Sequence, residues 1–224
     1  MIKVIALFAL AAAAAMAAAV RPPLAGSSSM YLILLGTYSV LGAAAAYLLW
    51  QDGSLRERLS PRWGDLSIGA VSAAALLVAS WAARSVLAPA GTPQQAWMVH
   101  IYLQIGDAEL IQRSSLVMVA VVAVSLLEEL VWRGYALSAL EERVGSRRAW
   151  PLSALLYGLT LLPTVFTLAD PVAGPNPLLF VGALGCGIVW SFLAHLTGRL
   201  PPVMISHAAF TYFSVAQFRW PGLG

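Results

Sequence analysis

The sequence predicts an all-α, polytopic transmembrane helix bundle of about seven spans. Of 224 residues, 60% are hydrophobic and only 10% are charged, where a soluble domain carries about 25% charged residues. The mean hydropathy is +0.79. Apolar runs close to the roughly 20 residues that a bilayer-crossing helix needs recur between charges and Pro/Gly clusters. The same composition excludes other classes. A disordered chain needs low hydrophobicity and high charge, a disulfide scaffold needs many cysteines, and a nucleic-acid binder needs a basic face. A net charge of +3 and one cysteine, Cys186, fit none of these. The expected surroundings are the lipid bilayer, with no nucleic-acid partner.

Cutting the chain at its charges gives segments at residues 4–20, 30–50, 66–83, 114–132, 151–169, 178–196 and 203–218. The first, VIALFALAAAAAMAAAV after Lys3, is alanine-rich with small residues before Arg21, so it also has the composition of a signal peptide. Because six spans follow it, we read it as a retained start signal. Residues 1–29 then hold a first span or signal-anchor with its connection, and 30–224 form one membrane helical domain. Residues 84–113 contain Pro89, Gly91 and Pro93 and then IYLQIGDAELIQ, which reads as a loop and a short interfacial helix on the outer side.

Basic residues set the expected orientation. If alternate connections share a side, one side holds Lys3, Arg56, Arg58, Arg62, Arg143, Arg147, Arg148 and Arg199, and the other holds Arg21, Arg84, Arg113 and Arg219. The richer side is expected to be cytoplasmic, which gives a multi-pass cell-membrane protein with its N-terminus inside. Trp50, Trp132, Trp150 and Trp220 fall at proposed span ends, where amphipathic rings favour the headgroup region, whereas Trp81 and Trp190 lie inside spans and read as packing residues.

Eight of the ten acids, Asp52, Glu57, Asp65, Asp107, Glu109, Glu141, Glu142 and Asp170, fall in connections and read as solvated loop charges. Glu128 and Glu129 interrupt the apolar run VAVVAVSLLEELVWRGYAL, where an ionisable group costs at least about 3 kcal/mol and marks a functional candidate. Residues four apart share a helix face, so Glu129 is expected to pair with Arg133, leaving Glu128 free to face a cavity as a general base.

His207 lies five residues after Pro202, and Glu128 five before Arg133. At about 1.5 Å per residue both sit roughly 7–8 Å from the inner boundary, so they could share a cavity opening to the cytoplasm. Thr211 follows His207 on the same helix face and can donate a hydrogen bond, while His195 ends its span nearer the surface. His100 lies on the outer side and receives no role. A carboxylate base with His and Thr donors suits attack of water on an amide carbonyl. Two carboxylates and one histidine could hold a metal, but without a His-x-x-x-His or cysteine cluster neither metal nor cofactor is expected.

These residues carry a family resemblance. EELVWRG (128–134) resembles the Glu-Glu-x-x-x-Arg signature of the CAAX-protease and bacteriocin-processing family, the glutamic intramembrane proteases. PLSALLYGLTLLP (151–163) is similar to that family's aromatic-x-x-x-His motif. GALGCGIVWSFLAHLTGRLPPVMISHAAFTYF (182–213) resembles its glycine-rich helix, short turn and final His-x-x-x-Asn helix. The likeness covers about residues 114–215. It implies Glu128 as base, Glu129 and Arg133 as supporting groups, and His207 as oxyanion donor, acting on a membrane-associated peptide or protein.

Two positions depart from the pattern. Tyr157 stands at the aromatic position, but Leu161 stands where the family has histidine, and Thr211 replaces the final asparagine. Leucine can neither bind water nor share a proton. The sequence therefore leaves two readings open: an endopeptidase cutting near the cytoplasmic membrane face, with Tyr157, Leu161 and His195 as cavity candidates, or a catalytically impaired relative acting as a membrane binding, immunity or sorting partner. A transporter or channel finds no support in paired broken helices or inverted halves.

Overall fold

The computed structural model describes residues 1–106 and 115–216. In chain order its helices are α1 (Ile2–Ala19), α2 (Ser28–Gln51), the short α3 (Leu55–Leu59), α4 (Asp65–Leu87), α5 (Gln95–Ile105), α6 (Ser115–Val144), α7 (Ser146–Thr160), the single turn α8 (Thr164–Thr167), α9 (Leu178–Thr197) and α10 (Pro201–Ala216). Among the described residues six stretches are long and apolar enough to cross a membrane: α1, α2, α4, α6, α7 with α8, and α9. The seventh expected span, α10, runs for 16 residues. Its partners are α4 and α6, while α9 packs on α7, and α2 lies between α1 and α6.

Two boundaries differ from expectation. Helix α6 does not stop near Arg133 but continues to Val144, because Arg133 is not a surface charge: it is neutralised inside the bundle. Helix α7 starts earlier than expected, at Ser146, and ends at Thr160, because Pro163 disfavours helical backbone just before it. A helix stands in the outer connection at Gln95–Ile105, and the rest of the expected segment, from residue 107, lies outside the described residues. Asp107, Glu109, Arg113, Arg219 and Trp220 lie outside the described residues.

Helix α1 is part of the bundle. Ile5, Phe8 and Ala12 are buried in one apolar cluster with Tyr38, Trp132 and Trp190, and the Phe8 ring lies 5.7 Å from that of Tyr135. The turn after α1 crosses α5 closely. Gly26 and Gly106 both have positive φ, a Cβ on Gly106 would come within 2.8 Å of the Gly26 Cα, and Gly26 N–H donates to Gln104 O at 3.1 Å. Only glycine permits both the backbone conformation and the approach. Leu32, Val40, Val78, Trp81, Leu116 and Phe213 are exposed, as lipid-facing side chains are. Trp81 is thus not the packing residue expected. Trp132 is not at a span end either, since α6 runs on to Val144, and the residue is fully buried.

One end of the bundle gathers the basic connections. Leu200 N–H donates to Arg58 O at 2.8 Å, Arg199 pairs with Asp65, and Lys3 lies beside Glu142 and Arg143. The other end carries Arg84 and α5. Asp65 is not a solvated loop charge: it is 3% exposed and contacts Arg199 Nη1 at 2.6 Å, which fixes the start of α4 against the α9–α10 turn. Asp170 is likewise engaged, accepting the N–H groups of Val172 and Ala173 at 2.8 Å each and contacting His100 Nε2 at 3.1 Å.

Candidate functional site

The site is organised by a change of helical pitch. Helix α6 is regular through Glu129, then π-helical over Leu130–Ala136, then regular again from Leu137. Such widened turns recur at functional sites because they displace side chains and carbonyls from the regular ladder. Here the Trp132 carbonyl accepts the Ser153 hydroxyl of α7 at 2.9 Å. Arg133 points into the bundle with no solvent exposure and meets Glu129 Oε1 at 3.1 Å, which is the pair expected from the spacing of four. Its other nitrogens reach Ser191 Oγ at 3.2 Å and Gly187 O at 3.3 Å on α9, and its guanidinium lies 4.4 Å from the Tyr157 ring centroid. A charge so placed holds α6, α7 and α9 together through hydrogen bonds and a cation–π contact.

His207 joins both glutamates from α10. Its Nδ1 lies 2.6 Å from Glu129 Oε1, the oxygen that also receives Arg133. The histidine is therefore the donor at Nδ1, which turns Nε2 toward Glu128 Oε2 at 3.5 Å. The ring is clamped on its flat side: Trp190 stacks on it at 3.8 Å between centroids and 24° between planes. Trp190 is held in turn, its Nε1–H donating to Ser206 Oγ at 3.0 Å, and Ser206 donates to Ser72 Oγ on α4 at 3.0 Å. The matched depth anticipated for Glu128 and His207 thus corresponds to direct proximity.

Glu128 faces a cavity of about 340 Å³ whose lining includes Tyr157, Leu161, Trp190, His207 and Thr211. Tyr157 Oη lies 3.4 Å from Glu128 Oε2. The buried Tyr38 hydroxyl of α2 stands among Glu128, Trp132 and Thr160. The rest of the lining is mostly apolar and runs through Ala183, Leu179 and Phe210 to Met98, Ile101 and Arg84. The lining thus runs from the glutamates to residues at the end that carries α5.

His195 does not belong to this constellation. It is absent from the cavity lining, and its Nδ1 lies 3.5 Å from Glu141 Oε1 near the helix ends, so it ties α9 to α6 there. Glu141, expected in a loop, accordingly sits on a helix. Sequence reasoning missed Ser191, Gly187 and Tyr38, and it took Trp190 for packing alone. The glycine-rich pattern around 182–187 was the available signal for Gly187, where a Cβ would fall 3.1 Å from Tyr157 Cδ1 and 3.4 Å from Arg133 Nη2. Nothing local marks Tyr38.

Among the described residues no group of three or more His, Cys, Asp or Glu side chains is arranged to hold a metal ion. Chemically, the cavity floor presents one carboxylate with a free face, one imidazole fixed by a second carboxylate, and the hydroxyls of Tyr157 and Thr211. No curated protein and no solved structure matches the chain. A family does: residues 111–213 match the one described as Rce1-like, type II CAAX prenyl endopeptidase Rce1-like. This is a family of membrane proteases, and the matched stretch contains every residue of the cavity floor.

Proposed function

We propose that this protein is an integral membrane endopeptidase in which Glu128 activates a water and His207 stabilises the oxyanion of a peptide carbonyl, with Thr211 as a further donor. The observation that carries the reading is the cavity floor, where His207 bridges Glu129 at 2.6 Å and Glu128 at 3.5 Å. The scheme uses His207 with a proton on both ring nitrogens, Nδ1–H being held by Glu129 Oε1. In that state His207 Nε2–H can point at a carbonyl oxygen, and Glu128 remains ionised to take a proton from water. Glu129 and Arg133 act by orienting the imidazole. No metal is required by this scheme.

The substrate is a membrane-associated peptide or protein. The reacting bond would lie at the depth of His207, about 9 Å along α10 from its start. With the arginine-rich end in the cytoplasm, as the basic bias suggests, the N-terminus is cytoplasmic and the cut falls in the cytoplasmic half of the cell membrane. Leu161 lines the cavity and favours a second reading, a catalytically impaired member serving as a membrane binding, immunity or sorting partner.

Glu128→Gln separates the two. On the endopeptidase reading, expressing the wild-type protein releases peptides from membrane proteins that mass spectrometry detects, and the variant releases none while inserting into the membrane at wild-type level. Release that persists in the variant refutes Glu128 as base. Any release that depends on Glu128 refutes a purely binding role.

A further inference from the structure

Leu161 leaves Glu128 without the histidine that the family resemblance would pair with it, yet the cavity holds another group in reach of the same carboxylate. We infer that Tyr157 is a catalytic residue whose hydroxyl orients the attacking water on Glu128. The inference rests on the endopeptidase reading.

Both Tyr157 and Leu161 line the cavity, four residues apart at the end of α7, so a side chain at 157 reaches the space that a polar side chain at 161 would have served. The Tyr157 ring is 5% exposed and is gripped on several sides. The Arg133 guanidinium lies 4.4 Å from its centroid, Trp132 and Trp190 meet it edge-on at 6.3 and 6.2 Å, and His207 stands at 80° to it. Gly187 is what admits it, because a side chain there would strike the ring. A ring so enclosed holds its hydroxyl at one point, which is the preorganisation a catalytic group needs.

That point is 3.4 Å from Glu128 Oε2. The separation is long for a direct O–H···O bond, whose usual length is about 2.7–2.8 Å, but a water about 2.8 Å from each oxygen completes a triangle on the cavity side. Such a water donates one O–H to Tyr157 Oη and the other to Glu128, and one of its two lone pairs is turned toward a carbonyl carbon.

The step balances without further reactants. As the new C–O bond forms, Glu128 takes one water proton, and the carbonyl π pair moves onto its oxygen, held by His207 Nε2–H. Collapse of the tetrahedral intermediate restores C=O and breaks the C–N bond. Its electron pair leaves on nitrogen, which receives the proton from Glu128. Water ends as the hydroxyl of the new carboxylic acid and one hydrogen of the new amine. Tyr157 orients the water throughout and transfers no proton.

The test uses the full-length protein in lipid nanodiscs with a pool of quenched-fluorescence apolar peptides as probe. It compares wild type, Tyr157→Phe, Leu161→His and the double variant, with Glu128→Gln as the blank. Tyr157→Phe keeps the ring and its contacts, and its thermal midpoint is measured alongside. The expected result is a fall in kcat of about 100-fold with KM little changed, and recovery to within about tenfold of wild type when Leu161→His is added, because the new imidazole replaces the lost hydroxyl. Should Tyr157→Phe stay within roughly threefold of wild type while Glu128→Gln is inactive, the inference is overturned and the endopeptidase reading stands. Cleavage by Leu161→His but not by wild type overturns the inference as well. Cleavage by none of them removes the endopeptidase reading and the inference with it.

Discussion

Glu129–Arg133 and Asp65–Arg199 are both carboxylate–guanidinium pairs taken out of solvent, and they differ in what each leaves unsatisfied. Asp65 is saturated: Arg199 Nη1 lies 2.6 Å from each of its oxygens, and Arg62 N–H donates to Oδ2 at 2.7 Å. It does not line the cavity that Glu128 faces, and its bonding capacity goes into holding the start of α4 to the turn before α10. Glu129 gives one oxygen to both Arg133 and His207, while Oε2 makes no hydrogen bond. Its neighbour Glu128 keeps a face toward the cavity. Burial is therefore not what separates a charge that supports the fold from one suited to chemistry. The difference is unspent hydrogen-bonding capacity beside a space that a substrate can enter.

The contrast breaks most visibly at Arg133. Arg133→Leu leaves Glu129 as a buried anion with only His207 to answer it, and removing one member of a buried pair costs about 3–5 kcal/mol. Glu128→Gln keeps a side chain of the same shape beside His207 and Tyr157, and its expected cost is within about 1 kcal/mol. Unfolding of the two variants in mixed micelles, followed by circular dichroism, measures the difference. Equal midpoints would mean that Arg133 is no more structural than Glu128.

Asp65→Asn sharpens the other half. Losing the charge-assisted bonds to Arg199 costs about 2 kcal/mol, and because Asp65 lies away from the cavity, cleavage of any peptide cut by the wild type continues at the wild-type kcat. Stability in micelles and turnover in nanodiscs are read on the same preparation. A drop in turnover comparable to that of Glu128→Gln would erase the distinction between the two pairs.

How far the sequence alone reached follows the range of the interactions. Spans were legible because length and apolarity are local, and Glu129–Arg133 was legible because a spacing of four is a helix property. The approach of His207 came from counting depth on two helices. The end of α6 was not legible, since Arg133 ends an apolar run only if nothing neutralises it, and the groups that do so include Ser191 and Gly187 on α9. Asp65 and its partner are separated by 134 positions, with no pattern linking them. The direction of the cavity depends on how α4, α5, α9 and α10 splay, and Tyr38 comes to Glu128 from a helix outside every motif.

At the end opposite the arginines, a third carboxylate tests the same idea from the solvent side. Asp170 is held below the usual aspartate range by the backbone N–H groups of Ala173 and Val172, and then by His100. It closes a turn that Trp97 and Asn176 also tie to α5, through Trp97 Nε1–H to Gly174 O at 3.2 Å and Asn176 Nδ2–H to Trp97 O at 3.0 Å. A carboxyl whose folded value is depressed favours folding fully above its unfolded value, about 3.9, and that contribution is lost as pH falls from there through the lowered value. The difference in micelle unfolding midpoint between wild type and Asp170→Asn is thus expected to stay constant from pH 8 to about 5 and to shrink only below about pH 4. This is the smallest of the effects, because the group is open to solvent. A difference that instead changes between pH 8 and 5 would show that the contact with His100, and not the two backbone donors, holds the turn against α5.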